Sequence, residues 1–244
     1  VRLNKYISQA GFTSRRKADQ LIFNGQVKVN KQIITKPYFQ VNPEQDIVEI
    51  QNHIIKINPK PFTLVLNKPI HVITSLFDPQ NRTTIYDLLP PKIKQQRPIP
   101  IGRLDYFSEG LLLLTTDGEL CYRVTHPKYK VEKIYLVRLR GKSIKEKLKK
   151  MEQGMTLLEG EYVFPAKTKI IKENKSFTLV EIIIKQGLNR QIRRMCRDLD
   201  LTILQLKRVQ VGPIKLKNLK PGRHRLLNKK EINTLYSNVG LNPP

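Results

Sequence analysis

The apolar positions divide the chain into two differently patterned parts. Leu3, Tyr6, Ile7 and Ala10 fall at i, i+3, i+4 and i+7, one apolar helical face, and Gly11 ends that helix. Ser14 stands where an N-cap belongs, ahead of a second helix that carries Ala18, Leu21 and Ile22 and closes at Asn24–Gly25. The alternating stretches QVKVN and DIVEI then read as strands. Farther along, the strand candidates TLVLNKP, LLLLTT, KIYLVRLRG, SFTLVEIIIKQ and TILQLKRVQV alternate with helix candidates at 117–125, 144–153, 190–199 and 229–237. That order predicts an α+β fold with a mixed or antiparallel sheet flanked by helices. Between the parts lies QNHIIKINPKP, polar and holding two prolines, which places a boundary near residue 58 and two domains at 1–58 and 59–244. No internal repeat is visible.

Composition changes this picture in one respect. A chain of 244 residues with 39% hydrophobic and 27% charged positions can bury a sizeable core. Its 45 Lys and Arg against 20 Asp and Glu leave a net charge of +25. Such an excess repels itself unless a polyanion is the usual neighbour, and nucleic acid is favoured over a membrane. The longest uninterrupted aliphatic run is Leu111–Leu114, far short of a bilayer span, and no leader and no membrane partner are expected. Cys121 and Cys196 lie far apart inside apolar helical patterns, so both read as reduced core residues of a cytoplasmic protein. His53, His71, His126 and His224 are scattered, and no metal site is expected.

Four stretches could carry chemistry. In SRRK, the cations Arg15, Arg16 and Lys17 occupy the first turn of the second helix, the end where the macrodipole disfavours them. Backbone N–H groups at a helix start suit an anion, so the three read as a phosphate-binding corner, with a solvated charge run as the alternative. In GRLDYFSEGLLLLTTDGEL, Gly102 and Gly110 bound a loop anchored by the buried run Leu111–Leu114. Asp105 on that loop is either a fixed carboxylate between Leu104 and Tyr106 or a turn residue.

In QGLNRQIRRMCRDLDL, Arg190, Arg193, Arg194 and Arg197 fall on one helical face and Ile192, Met195, Cys196 and Leu199 on the other. Four arginines without a lysine favour bidentate recognition of phosphate or carboxylate over a merely solvated face. Arg193, nearest Cys196, is the one that would be partly buried and need a carboxylate partner, a place Asp105 could fill. In KIYLVRLRG, Tyr135 shares a strand face with Lys133, Val137 and Leu139, either as a core tyrosine or as a ring on which a base stacks.

Taken together, GRLDYFSEGLLLLTTDGEL, KIYLV and GLNRQIRRM, preceded by RLNKYISQAGFTSRRKADQLIFNGQVKVN, resemble the RsuA-type family of bacterial rRNA pseudouridine synthases, from about residue 2 to residue 227. The opening segment resembles that family's small S4 RNA-binding domain, of α-L type. QGLNRQIRRMC most resembles the RluF branch, which modifies large-subunit (23S) rRNA.

The resemblance implies an isomerase that breaks the N-glycosidic bond of a uridine, turns the uracil and rejoins it through C5. No hydride or phosphoryl group moves, so no cofactor and no metal is implied. It puts the catalytic aspartate on Asp105, the active-site tyrosine on Tyr135 and the aspartate's basic partner on Arg193. Asp105 would act ionised, as a nucleophile toward ribose or base or as the acceptor of a ribose proton. Tyr135 would stack on the uracil and assist removal of the C5 proton. The target would be flipped from an rRNA stem-loop, or a tRNA, with Arg103 bracing the gap. Arg15, Arg16, Lys17, Arg190, Arg194 and Arg197 would hold the backbone, and a monomer is expected. Ser108 stands where many relatives have threonine, which keeps the hydroxyl.

A reading of another class is a catalytically silent S4-containing RNA-binding or ribosome-assembly factor, which would have no need of Asp105, Tyr135 and Arg193 together. A DNA-binding protein using the arginine helix is disfavoured by the strand-like FTLVEIIIKQ just before it.

Overall fold

The structure, a computed structural model, describes residues 1–57 and 60–244. The expected boundary near residue 58 lies outside the described residues.

The N-terminal segment folds around a core of its own. Helix α1 (Leu3–Gln9) ends at Ala10 and Gly11, where φ is +75°. Helix α2 (Arg15–Phe23) starts at Ser14, whose hydroxyl accepts the Lys17 N–H. Strands β1 (Val27–Val29), β2 (Gln32–Ile33), β3 (Val48–Ile50) and β4 (His53–Ile55) form an antiparallel sheet in the order β2-β1-β3-β4. Leu3, Tyr6, Ile7, Ala18 and Ile22 pack on Val27, Val48 and Ile50, as the helical spacing of the apolar positions requires.

The rest of the chain is organised by one mixed sheet. In chain order it contains β5 (Thr63–Lys68), α3 (Pro91–Gln95), β6 (Ile99–Ile101), β7 (Glu109–Thr115), α4 (Gly118–Thr125), β8 (Lys133–Arg140) and α5 (Ile144–Gln153). These are followed by β9 (Met155–Thr156), β10 (Tyr162–Val163), β11 (Lys167–Glu173), β12 (Thr178–Ile184), α6 (Gln191–Asp198), β13 (Thr202–Val211), β14 (Ile214–Lys215), β15 (His224–Leu226) and α7 (Lys229–Asn238). The sheet order is β11-β12-β8-β13-β7-β5-β15, with β6 also paired to β7 and β14 to β13; β9 and β10 form a separate hairpin. Among the strand pairings of this sheet in the described residues, only β7–β13 is parallel.

Both faces of this sheet are covered, and the leucine run shows it. Leu112 and Leu114 join the core under α5 and α6, while Leu111 and Leu113 join the core under α4 and α7, and all four are fully buried. Cys196 is buried in α6 and Cys121 half-buried in α4, and both are free thiols. The two parts of the chain touch where Arg97, just past α3, donates to the Phe12 carbonyl at 3.1 Å.

The β7–β13 junction explains Gly110. The β7–β13 register pairs Arg208 with Gly110, and a Cβ at residue 110 would stand 2.2 Å from the Arg208 carbonyl oxygen. Its φ of +105° is open to glycine and strained for any other residue. Close approach at this point lets the Arg208 Nε–H donate to the Leu111 carbonyl at 2.7 Å, tying β13 to the base of the 102–110 loop.

Candidate active site

Asp105 sits at the head of a tight turn, its carbonyl accepting the Ser108 N–H at 3.0 Å. The turn is held from both ends. Gly102 takes φ +72° before it, and Gly110 passes into β7 after it. On one side, the Thr74 hydroxyl donates to the Leu104 carbonyl at 2.8 Å and the His71 N–H donates to the Tyr106 carbonyl at 2.7 Å. On the other, Arg193 in α6 reaches across with its Nη2, donating to the Phe107 carbonyl at 2.7 Å and the Ser108 hydroxyl at 3.1 Å.

Arg193 and Asp105 then face each other as an ion pair, Nε to Oδ2 3.6 Å, both half-buried. Burial pushes the Arg193 guanidinium down and the Asp105 charge opposes that, so the cation is held by the carboxylate in front of it. The pair is looser than a bidentate fork because Arg193 spends its hydrogen bonds on the loop. It fixes the loop that carries the carboxylate and lends it a positive field.

Around this pair is a cleft with a cavity volume of about 160 Å³. Its walls include Asp105, Arg193, Tyr135, Arg103 and Arg190, so five residues from three distant segments meet there. Tyr135 lies on the core-facing side of β8 with Val137 and Leu139 and keeps 8% of its surface accessible, at the cleft. Arg103 and Arg190 are exposed at the rim.

Arg194 and Arg197 take a different place. With Arg190 and Arg193 they line a shallow groove, but each is paired with carboxylates of its own chain. Arg194 binds Glu159 and Glu161, and Arg197 binds Glu159 at 2.8 Å and Asp198 at 2.7 Å. Arg190 also precedes the helix, as its left-handed N-cap at φ +50°, so the expected four-residue stripe on one helix is three residues plus a cap. The helix begins one residue late because Arg190 turns the chain out of the loop after β12. Arg15, Arg16 and Lys17 are exposed on the first turn of α2 and contribute nothing to the cleft walls.

Four residues, three on the cleft wall and Lys68 behind it, had no visible signal in the pattern. Lys68 ends β5 with no exposed surface, its Nζ donating to the Pro69 and Ser108 carbonyls at 2.8 and 2.9 Å. Burial brings it down to about 8, with Asp105 and Glu109 pulling the other way. It props the far end of the 105–108 turn and stands within the field of Asp105. Arg208 is 3% exposed and Gln191 4% exposed, and both line the cleft. The Arg208 Nη2 and the Gln191 Nε2 are buried donors without an acceptor, positions a polar ligand would satisfy. Lys133, also on the wall, is lowered to about 8 by burial and by Arg208. Each is a single polar residue in an otherwise ordinary strand or helix start; only the fold brings them to one place.

Among the described residues, no cluster of three His, Cys, Asp or Glu side chains is placed to hold a metal ion, and no helix is long and apolar enough to cross a membrane.

Comparison with known proteins shows the family of both parts of the chain. A family model for RNA pseudouridylate synthase matches residues 63–198, and one for the S4 domain matches residues 1–47. An uncharacterized RNA pseudouridine synthase of Aquifex aeolicus is 42% identical over 242 residues, covering 99% of this chain and 96% of the relative. The ribosomal large subunit pseudouridine synthase B of Bacillus subtilis is 38% identical over 236 residues, 96% of this chain and 95% of the relative. A crystal structure of a pseudouridylate synthase superposes with a TM-score of 0.70 at 29% identity, over 96% of this chain and 99% of that one. These relatives support the family without supporting the RluF branch in particular. With a carboxylate, an arginine and a tyrosine brought into one cleft, and with relatives matched over nearly its whole length, the chain belongs to the RsuA-type RNA pseudouridine synthases and carries an S4 domain at its N-terminus.

Proposed function

We propose that this synthase isomerises a uridine of large-subunit ribosomal RNA, with Asp105 as its catalytic carboxylate, Arg193 as that carboxylate's partner and Tyr135 as the ring beneath the base. The observation that carries the assignment is the Arg193–Asp105 ion pair at the wall of a cleft that Tyr135 also lines. The named large-subunit synthase of Bacillus subtilis supports the choice of RNA.

The reaction breaks the C1′–N1 bond, turns the uracil, forms a C1′–C5 bond and releases the C5 proton. Asp105 serves it as nucleophile or as acceptor of a ribose proton, and Arg193 sets a positive charge opposite it at 3.6 Å in a half-buried site. Tyr135 supplies a flat apolar face for the turning base and a hydroxyl near the C5 proton. Arg208 Nη2 and Gln191 Nε2 are placed as donors to the carbonyl or hydroxyl oxygens of the nucleotide.

A narrow cleft reaches a base only after it leaves its stack, so the target is a flipped uridine, with Arg103 and Arg190 at the rim on the phosphates beside it. Residues 1–58 form the docking domain, its contact made through Arg15, Arg16 and Lys17, and residues 59–244 the catalytic domain. The setting is the cytoplasm, where rRNA is modified.

The substrate assignment is tested by offering protein-free large-subunit rRNA, small-subunit rRNA and tRNA, each labelled with tritium at uridine C5. Release from large-subunit rRNA, followed by mapping of the product by reverse-transcription stops, is expected; release from small-subunit rRNA or tRNA alone would overturn it.

A further inference from the structure

Beside the cleft stands an aromatic cluster that the chemistry above does not use. His71, Tyr106 and Phe107 meet with ring centroids 5.1 to 5.5 Å apart; Phe107 sits edge-on to both of the others. Phe107 is 57% exposed and Tyr106 36% exposed, and His71 is exposed as well. None of the three lines the cleft. They stand outside it, on the same turn as Asp105 and on the loop tied to that turn.

Two features say that the cluster is built rather than incidental. His71 holds φ +60°, a left-handed conformation that costs a non-glycine side chain, and its N–H is fixed to the Tyr106 carbonyl. The Phe107 carbonyl is fixed in turn by Arg193. The backbone that carries the three rings is therefore fixed, and the rings stand in water next to the catalytic carboxylate. The surroundings are cationic: Arg103 is two residues before Asp105 in the same loop and Arg190 stands with it at the cleft rim, both exposed, whereas the nearby Arg82 is already matched by Asp78 at 2.8 Å. Exposed apolar rings inside a basic surface match one class of partner, the unstacked base of a single-stranded nucleotide, which offers a π-face for the rings and a phosphate for the arginines.

We infer that His71, Tyr106 and Phe107 form a shelf on which a nucleotide flanking the target uridine stacks once the target has left the helix. The inference rests on the reading of Asp105 and its cleft as the uridine site. A shelf on a fixed backbone adds affinity with less ordering on binding than a mobile loop would need, and it selects RNA in which the neighbour of the target is free to unstack.

The test uses the full chain and protein-free large-subunit rRNA, with the dissociation constant measured by filter binding and tritium release measured in parallel. Phe107→Leu keeps an apolar side chain but removes the ring, and should raise the dissociation constant about 5- to 150-fold, the range for loss of one base stack. Phe107→Trp should bind like the wild type. His71→Gly relaxes the left-handed backbone, so it should raise the melting temperature while weakening binding, a combination that a purely structural role would not produce. In none of these variants should the slope of log affinity against log salt change, because every phosphate-binding cation is still in place. Wild-type affinity in both Phe107→Leu and His71→Gly would overturn the shelf, whereas absence of tritium release by the wild type would overturn the reading of the cleft itself.

Discussion

Arg193 faces Asp105 at 3.6 Å across 88 positions of sequence, yet its hydrogen bonds go to the Phe107 carbonyl and the Ser108 hydroxyl. One guanidinium thus both shapes the turn that presents the carboxylate and supplies the charge opposite it. The two roles separate experimentally because a lysine can supply the charge without the guanidinium's hydrogen bonds.

Arg193→Leu should lower the rate on the order of 10²–10³-fold, as for loss of a preorganised electrostatic partner. Arg193→Lys should fall between wild type and Arg193→Leu, since a lysine restores charge but not the planar guanidinium whose Nη2 holds two loop oxygens. Tritium release by Arg193→Leu at the wild-type rate would show that the two side chains are not coupled.

Lys68 yields a stability prediction whose sign follows from burial. The group titrates at about 8 in the folded protein and at 10.5 when free. Between those pH values the unfolded chain binds a proton that the folded chain has lost, so this group's contribution to stability rises with pH. Lys68→Met leaves the Ser108 and Pro69 carbonyls without their donor and should cost about 1–3 kcal/mol near neutrality. The gap to wild type should widen between pH 8 and 10 in urea titrations, where Lys133, present in both proteins, cancels. A gap that stayed constant would mean that Lys68 is not depressed.

The pattern of the sequence carried much of this architecture, and where it failed the reason is physical. Leu111–Leu114 announced a strand buried on both faces because four consecutive apolar residues leave no polar side. The ranges 144–153 and 202–211 coincide with α5 and β13, where long periodic segments leave little choice of register. β11, at the sheet edge, was missed because only Ile170 and Ile171 break its run of polar positions. The short α3 and β6 offer too few residues for any period to show.

At the site, the approach of Arg193 to Asp105 was legible from one helical face and one glycine-bounded loop. The fates of Arg194 and Arg197 were not, because their partners Glu159 and Glu161 lie in the turn between β9 and β10, more than thirty residues earlier, and no local spacing links the two. Lys68, Gln191 and Arg208 were hidden for the same reason: each acquires its meaning from a neighbour brought by the fold.

Gly110→Ala tests the junction beneath the turn. A methyl group there would stand 2.2 Å from the Arg208 carbonyl at a φ of +105°, so β7 and β13 must part. The loss should be on the order of 2–5 kcal/mol, from overpacking and backbone strain together. Thermal melting checks it, and a melting temperature equal to that of wild type would mean that the strands are not in the close register described.

The arginines should divide by their partners. Replacing Arg15, Arg16 and Lys17 together by alanine should flatten the salt dependence of RNA binding by roughly 0.7 to 0.9 in slope for each phosphate left without its cation. Arg190→Ala should act in the same direction. Arg194→Ala should leave the slope unchanged, because that cation is already matched by Glu159 and Glu161. A slope altered by Arg194→Ala but not by the triple variant would reverse the assignment of the RNA-facing surface.

That Asp105 performs uridine isomerisation is tested most directly by tritium release from C5-labelled large-subunit rRNA, comparing wild type with Asp105→Asn. The substitution keeps the size of the side chain and the turn that Ser108 closes, so RNA binding should persist while release falls to background. Release by Asp105→Asn at a rate near that of wild type would contradict the assignment and require another carboxylate.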